Sequence, residues 1–377
     1  MEHNLAGNYE NIDLPNVALR FKELFVESIQ QSLRSNVPVG ACLSGGLDSS
    51  SVVCTAQTLM DEKLKTFSSM PIEKEANEQE YIDAINEYTG TKSYIVTPTF
   101  DEFMKDFDML VALHDEPFPS PSIYMQYRVM KLAKENNVTI LLDGQGGDEL
   151  LAGYYTYLPR YFGDLKHLHK YRKLMSELWS FRNEYLPFVG RVLRNKTGLW
   201  NKSIKGLIKK PIGDIGIDRH FGNVSFVEQL RLDLANSLPK LLHTGDLNAK
   251  ACGVKIRTPF TYDKLVEYVV SLPITARISN GWTKRILREA MRDILPEKIR
   301  LRRTKLGFPA PNKAWAIEMI SSRKDEIKQL IQAIEEYIDA VPFEKLMNNI
   351  IKHKHNEDIK LFWRILIFGK WRCIHNE

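Results

Sequence analysis

Apolar residues in 17–35, VALRFKELFVESIQQSLRS, recur at the spacing of an amphipathic helix, and then the period changes. Val37, Val39, Ala41 and Leu43 alternate, which predicts a strand ending at the stretch SGGLDSSS. Residues 50–60 read as the helix that follows. Further strands are expected at 66–70, 93–97 and 138–143, separated by helical patterns at 77–89, 103–113 and 121–135. Strands alternating with helices in this way predict an α/β fold, a parallel sheet with helices on both faces. Beyond Tyr154 the alternation fades, and residues 160–250, rich in Leu, Lys and Arg, read as amphipathic helices; the remainder of the chain is expected to be mainly helical. No internal repeat or low-complexity linker interrupts the pattern.

Composition narrows the possibilities. A chain of 377 residues with 44% hydrophobic content is long enough for a large core in about two or three domains. The formal net charge of +5 is too small to argue for nucleic acid. No apolar stretch approaches the ~20 residues of a membrane span, and the first residues lack a basic start and an apolar signal core, so a cytoplasmic location is expected, with no membrane partner. Cys42, Cys54, Cys252 and Cys373 contain no Cys-x-x-Cys pair, and ordinary buried thiols are expected.

Candidate chemistry gathers at two loops. Gly45 and Gly46 end the first strand and allow backbone N–H groups to turn toward one anion, while Ser44, Ser49 and Ser50 add hydroxyl donors beside a helix N-terminus. No lysine follows the glycines, so this is not the Gly-Lys-Ser/Thr phosphate loop. Asp48 stands among the donors, where it would repel a phosphate unless a cation bridged them; Mg²⁺ takes carboxylate and phosphate oxygens together. The second loop, LLDGQGGDELLAGYY at 141–155, again follows an apolar strand and carries Asp143, Asp148 and Glu149. Lys284 begins a helix whose apolar face is Ile286, Leu287 and Ala290, and three basic residues at a helix start oppose its dipole unless an anion lies nearby. Arg302, Arg303 and Lys305 are weaker candidates. His114 reads as structural, since no second histidine or cysteine stands at ligand spacing, and Asp115 and Glu116 are candidates for a substrate pocket.

The stretch SGGLDSS at 44–50 resembles the pyrophosphate loop of the ATP pyrophosphatase superfamily, with its adenine nucleotide alpha-hydrolase-like fold. In combination with DGQGGDEL at 143–150, RTPF at 257–260, SNGWTKRILREAM at 279–291 and RRTKLGFPAP at 302–311, it resembles the synthetase domain of glutamine-dependent asparagine synthetases, from about residue 17 to the C-terminus. The resemblance implies an enzyme using ATP and Mg²⁺ to convert a carboxylate, by default aspartate, to an acyl-adenylate that ammonia then converts to an amide. It implies that Leu43, Ser44, Gly45, Gly46, Ser49, Ser50, Ser69 and Gly144 surround the nucleotide, that Asp48 and Asp148 hold Mg²⁺, and that Lys284 contacts the phosphates. Arg257 joins the candidate substrate pocket. Residues 17–155 are expected to form the adenylating domain and 156–377 the helical part completing its site.

Two departures from the family bear on mechanism. The resemblance starts only at about residue 17, so the family's N-terminal glutaminase domain is expected to be absent and nitrogen is expected from free ammonia, a separate glutaminase subunit or an amine; a homodimer is a further expectation. Gln145 stands where relatives carry a glutamate or a tyrosine, and an amide is no general base. Gln145 and Glu149 are therefore the catalytic candidates beside Lys284, and other carboxylates, such as a sugar acid, a peptide or a β-lactam precursor, remain alternatives to aspartate. A tRNA-modifying enzyme and a nucleotide-binding scaffold without catalysis are the readings from other classes.

Overall fold

The computed structural model describes residues 9–71, 78–183, 185–186, 207–209, 224–303, 310–353 and 355–375. Helix α1 (Leu14–Leu33) precedes strand β1 (Val39–Cys42), followed by α2 (Leu47–Thr58), β2 (Lys65–Ser69), α3 (Gln79–Thr89), β3 (Lys92–Val96), α4 (Phe100–Leu113), α5 (Ser122–Glu135) and β4 (Ile140–Leu142). All four expected strands form, each paired in parallel, in the order β3-β2-β1-β4-β5. The fifth strand, β5 (Lys255–Arg257), was not expected; three residues are too few to display a period, and it comes from the otherwise helical second half.

Two helices start about three residues earlier than their apolar periods suggest, for identifiable reasons. Gly46 is extended and caps α2, so Asp48, Ser49 and Ser50 lie in that helix's first turn rather than in a loop. Thr99 and Glu102 form a reciprocal capping box that begins α4 at Phe100.

Alternation along the strands sends side chains to opposite faces. Ala41 and Leu142 join α1 and α2, including Phe21, Phe25, Val52 and Val53, in one core. Cys42 and Leu141 join Val129, Met130 and Ala133 of α5 in another. Each fully buried aliphatic or aromatic side chain contributes about 1.5–3 kcal/mol, and with both faces covered the strand ends have fixed positions.

The second half contains α6 (Gly147–Leu151), α7 (Leu158–His167), α8 (Tyr171–Ser180), α9 (Phe226–Leu232) and α10 (Leu238–Ala251), then β5. After β5 come α11 (Asp263–Ser271), α12 (Arg285–Ala290), α13 (Glu297–Arg300), α14 (Asn312–Ser322), α15 (Lys324–Gln332), α16 (Ala340–His353) and α17 (Asn356–His375). Ile286 and Leu287 of α12 enter the α1–α2 core, which brings Lys284 back to the sheet. The last four helices pack on α4 and α5 through Phe103, Trp315, Phe362 and Trp363. Much of the amphipathic stretch at 187–223 and most of the 302–311 motif, with Lys305, lie outside the described residues.

No helix among the described residues is long and apolar enough to cross a membrane. Cys42 and Cys54 are buried as expected, but Cys252 is half-buried and Cys373 exposed; among the described residues all four are free thiols. Burial pushes the Cys54 thiol up to about 12 and that of Cys252 to about 11.

Candidate functional site

The chain leaves β1 toward β2 on one side, while β4 lies on the other, so the loops after β1 and β4 flank the reversal in strand order. In an open parallel sheet this is where the carboxyl ends of the strands leave a crevice. A cavity of about 340 Å³ opens there, lined by both loops, Tyr154, Leu241 and the segments carrying Lys284, Arg302 and Arg303.

The first loop is braced from behind. Leu43 N–H donates to the Phe67 carbonyl at 3.0 Å, the Ser44 and Ser49 hydroxyls meet at 3.0 Å, and Arg302 Nη1 donates to the Gly45 carbonyl at 2.9 Å. Gly45 has φ +71°, and a Cβ there would sit 2.7 Å from the Tyr81 Cβ, so both backbone and packing demand glycine. Arg302 also pairs with Glu78 and lies 3.8 Å over the Tyr81 ring.

The second loop packs directly on the first. Gly144 lies against the Ser49 amide and Gly147 against the Asp48 carboxylate, so neither position has room for a side chain. These contacts place Asp48 of α2 and Asp148 of α6 opposite one another, and Lys284 lies between them. Its Nζ is 2.8 Å from Asp148 Oδ1 and also pairs with Asp48 Oδ2. Lys284 caps α12 with φ +52°, and Ala152, just after Asp148's helix, has φ +56°. Left-handed backbone costs a non-glycine residue about 1–3 kcal/mol. The Lys284 N–H donates to the Leu151 carbonyl at 3.2 Å, joining these strained turns. A Cβ on Gly153 would collide with both Asp148 Oδ1 and Lys284 Cε.

Electrostatics follow from burial and neighbours. Burial works against the charged ammonium of Lys284, but Asp148 and Asp48 outweigh it and hold the group above the ordinary lysine value. Asp143 is pushed up to about 6 by burial and by Asp48, against backbone hydrogen bonds from Gln145 and Gly144. Tyr154 donates to Glu149 Oε1 at 2.5 Å, and its phenol is raised by burial, Asp148 and Glu149, which keeps it protonated. Burial lowers Arg288 to about 10; its Nε donates to the Thr283 carbonyl at 3.0 Å.

The structure brings Ser44, Gly46, Asp48, Ser49, Gly144, Gln145, Asp148 and Lys284 to one cavity wall. Glu149 is buried behind it, reaching the wall through Tyr154. Leu43, Gly45 and Ser50 lie in or beside the loop without lining the cavity, and Ser69 contacts Met125 Sδ at 3.8 Å. Three expected pocket residues are elsewhere. Asp115 is exposed and pairs with His243 at 3.1 Å, Glu116 is exposed, and Arg257 donates to the carbonyls of Ser32 and Arg34 at 2.7 and 2.9 Å, tying β5 to the end of α1. His114 is buried, bonded to Asn248, and lowered by burial. Sequence reasoning missed Thr283, Arg288 and Tyr154 as wall residues; the basic residues at the start of the Lys284 helix and the tyrosines ending the second loop were the available signals.

Among the described residues no group of three or more His, Cys, Asp or Glu side chains could enclose a metal. Asp48 and Asp148 nonetheless converge on one cationic nitrogen, and two hard carboxylates facing one cation fit Mg²⁺, which usually takes one or two carboxylates with substrate phosphates.

Asparagine synthetase 1 of Bacillus subtilis, a glutamine-hydrolysing enzyme by name, is 29% identical over 94% of this chain and 59% of its own length. A putative asparagine synthetase of Mycobacterium tuberculosis is 26% identical over 93% of the chain and 57% of its own length. A second putative asparagine synthetase, from Methanocaldococcus jannaschii, is 36% identical over 41% of the chain and 30% of its own length. The chain thus spans less than two thirds of each of these relatives. The Asparagine synthase family model matches residues 20–372, and the chain belongs to that family.

Proposed function

We propose that the protein is an ATP-dependent carbon–nitrogen ligase that activates a carboxylate, by default aspartate, as its acyl-adenylate and passes the acyl group to ammonia. The observation that carries this reading is the meeting of Asp48, Asp148 and Lys284 at the junction of two glycine-rich loops. A substrate carboxylate oxygen attacks the α-phosphorus of ATP, the bond to the β-phosphate oxygen breaks, and pyrophosphate leaves with the electron pair. Charge therefore grows on the leaving group, where fixed donors give most help.

The Ser44 and Ser49 hydroxyls and the loop amides receive the phosphates, and Lys284 donates to the departing pyrophosphate. Mg²⁺, held by Asp48 and Asp148, would supply charge neutralisation. Ammonia then attacks the acyl carbon, AMP departs with the electron pair of the broken C–O bond, and the proton shed by the nitrogen passes to the departing phosphate or to water. Gln145 at the wall offers an amide that orients a substrate by hydrogen bonds and takes no proton. Residues 17–155 supply both loops in this reading, and the later helices return Lys284, Arg288 and Arg303.

The test is product identification with purified protein, Mg-ATP, aspartate and ammonium. Asparagine, AMP and pyrophosphate in equal amounts are expected. Turnover only with another carboxylate, or only after addition of a glutaminase subunit, redirects the substrate or nitrogen source; no turnover under any of these conditions favours the scaffold.

A further inference from the structure

The turn leading into Lys284 is held by a residue far away in sequence. Ser279 and Trp282 exchange two backbone hydrogen bonds of 3.1 Å each, and between them Asn280 and Gly281 have φ +55° and +74°. This is a two-residue hairpin of the Asn-Gly type, in which both central residues adopt left-handed backbone. Its outward N–H groups point at a carboxylate on α8. Glu177 Oε1 accepts from Asn280 N–H at 2.8 Å, from the Ser279 hydroxyl at 3.0 Å and from the Tyr161 hydroxyl at 3.0 Å. Glu177 Oε2 accepts from Gly281 N–H at 3.1 Å.

Glu177 is 2% exposed, so this carboxylate has exchanged water for these four donors. The contact is tight as well as polar: a Cβ on Gly281 would lie 2.8 Å from the Ser180 Cβ at the end of α8. The hairpin in turn carries the cationic side of the cavity. Thr283 and Lys284 follow it directly, and the Trp282 ring carries the guanidiniums of Arg288, at 4.9 Å, and Arg303, at 4.2 Å.

We propose that Glu177 is a positioning residue for Lys284: its carboxylate clamps the 279–282 hairpin and so fixes the ammonium between Asp48 and Asp148. The side chain touches no cavity group itself and acts through the turn. Its effect on turnover rests on the ligase reading above; its control of Lys284 does not, and the two are separable by experiment.

The measurement is the acylation rate of Lys284 by an amine-reactive reagent, read by peptide mass spectrometry, with exposed Lys264 as internal reference. In the wild type the buried, doubly paired ammonium reacts slowly. Glu177→Ala is expected to raise the Lys284 rate about tenfold while Lys264 is unchanged. Glu177→Gln keeps the acceptor at Oε1 and loses the Gly281 contact, so about threefold is expected; it also decides the matter should the alanine variant not fold. Where pyrophosphate is released, kcat should fall in the same order with KM for ATP nearly constant. Lys284 rates within twofold of wild type in a folded variant overturn the proposal, as does a kcat that follows only the fraction of protein folded. Faster acylation in a protein that never releases pyrophosphate would leave the clamp standing and remove the ligase reading instead.

Discussion

Lys284 and Arg302 are two buried cations beside the same glycine-rich loop, and their surroundings differ. Arg302 is directed at the back of the loop, onto the Gly45 carbonyl, Glu78 and the Tyr81 ring, contacts that hold a shape. Lys284 sits on a strained cap between two carboxylates that face the cavity. Similar burial thus serves different ends: Arg302 braces the loop, whereas Lys284 is held, at a cost in backbone strain, at the cavity wall, where the proposed ligase reaction has a phosphate arrive. Variants that separate stability from turnover test this difference.

The largest effect is expected at Lys284. Lys284→Ala should lower pyrophosphate release by about 10²–10³-fold, the loss typical of a preorganised transition-state donor, with the protein still folded by circular dichroism. Gly153→Ala comes next: the new Cβ meets the Asp148–Lys284 pair, and about a tenfold to hundredfold fall in kcat is expected from displacement alone. Glu78→Gln should reverse the pattern. Breaking a buried ion pair costs about 3–5 kcal/mol, visible as a lower urea midpoint, while folded protein keeps most of its kcat.

Asp143 predicts a pH dependence. Burial and the neighbouring Asp48 push its carboxyl up to about 6, above the ordinary aspartate value of about 3.9, so the folded state binds the proton more tightly. Stability from this group is present in full below about pH 4 and is lost as pH rises through about 6, by up to about 3 kcal/mol. Asp143→Asn should therefore be more stable than wild type at pH 7.5 and match it near pH 4 in urea titrations. The smallest effect is expected from Asp115→Asn and Glu116→Gln, which should leave kcat/KM for the acceptor within twofold because both side chains are exposed outside the cavity.

Legibility in the sequence followed the reach of each signal. The four strands of the first half were readable because long flanking helices frame short apolar runs, and the two loops because glycine, serine and aspartate are dense there. Lys284 was readable as a basic helix start that needed an anion. Arg257 misled because β5 is too short to show a period, so its side chain could not be assigned to the sheet edge where it binds the end of α1. Asp115 and Glu116 are acids in a turn whose direction no local pattern records. Tyr154 and Glu177 escaped for another reason. Their roles depend on partners created by left-handed turns at Ala152 and Asn280, and single non-glycine residues of that kind leave little trace in sequence.

The most direct test of the central claim is exchange of labelled pyrophosphate into ATP by the wild-type protein with aspartate present and no nitrogen donor. Attack at the α-phosphorus predicts exchange that requires the carboxylate and falls with Lys284→Ala. Release of ADP and phosphate in place of exchange, or exchange unaltered by Lys284→Ala, would contradict it.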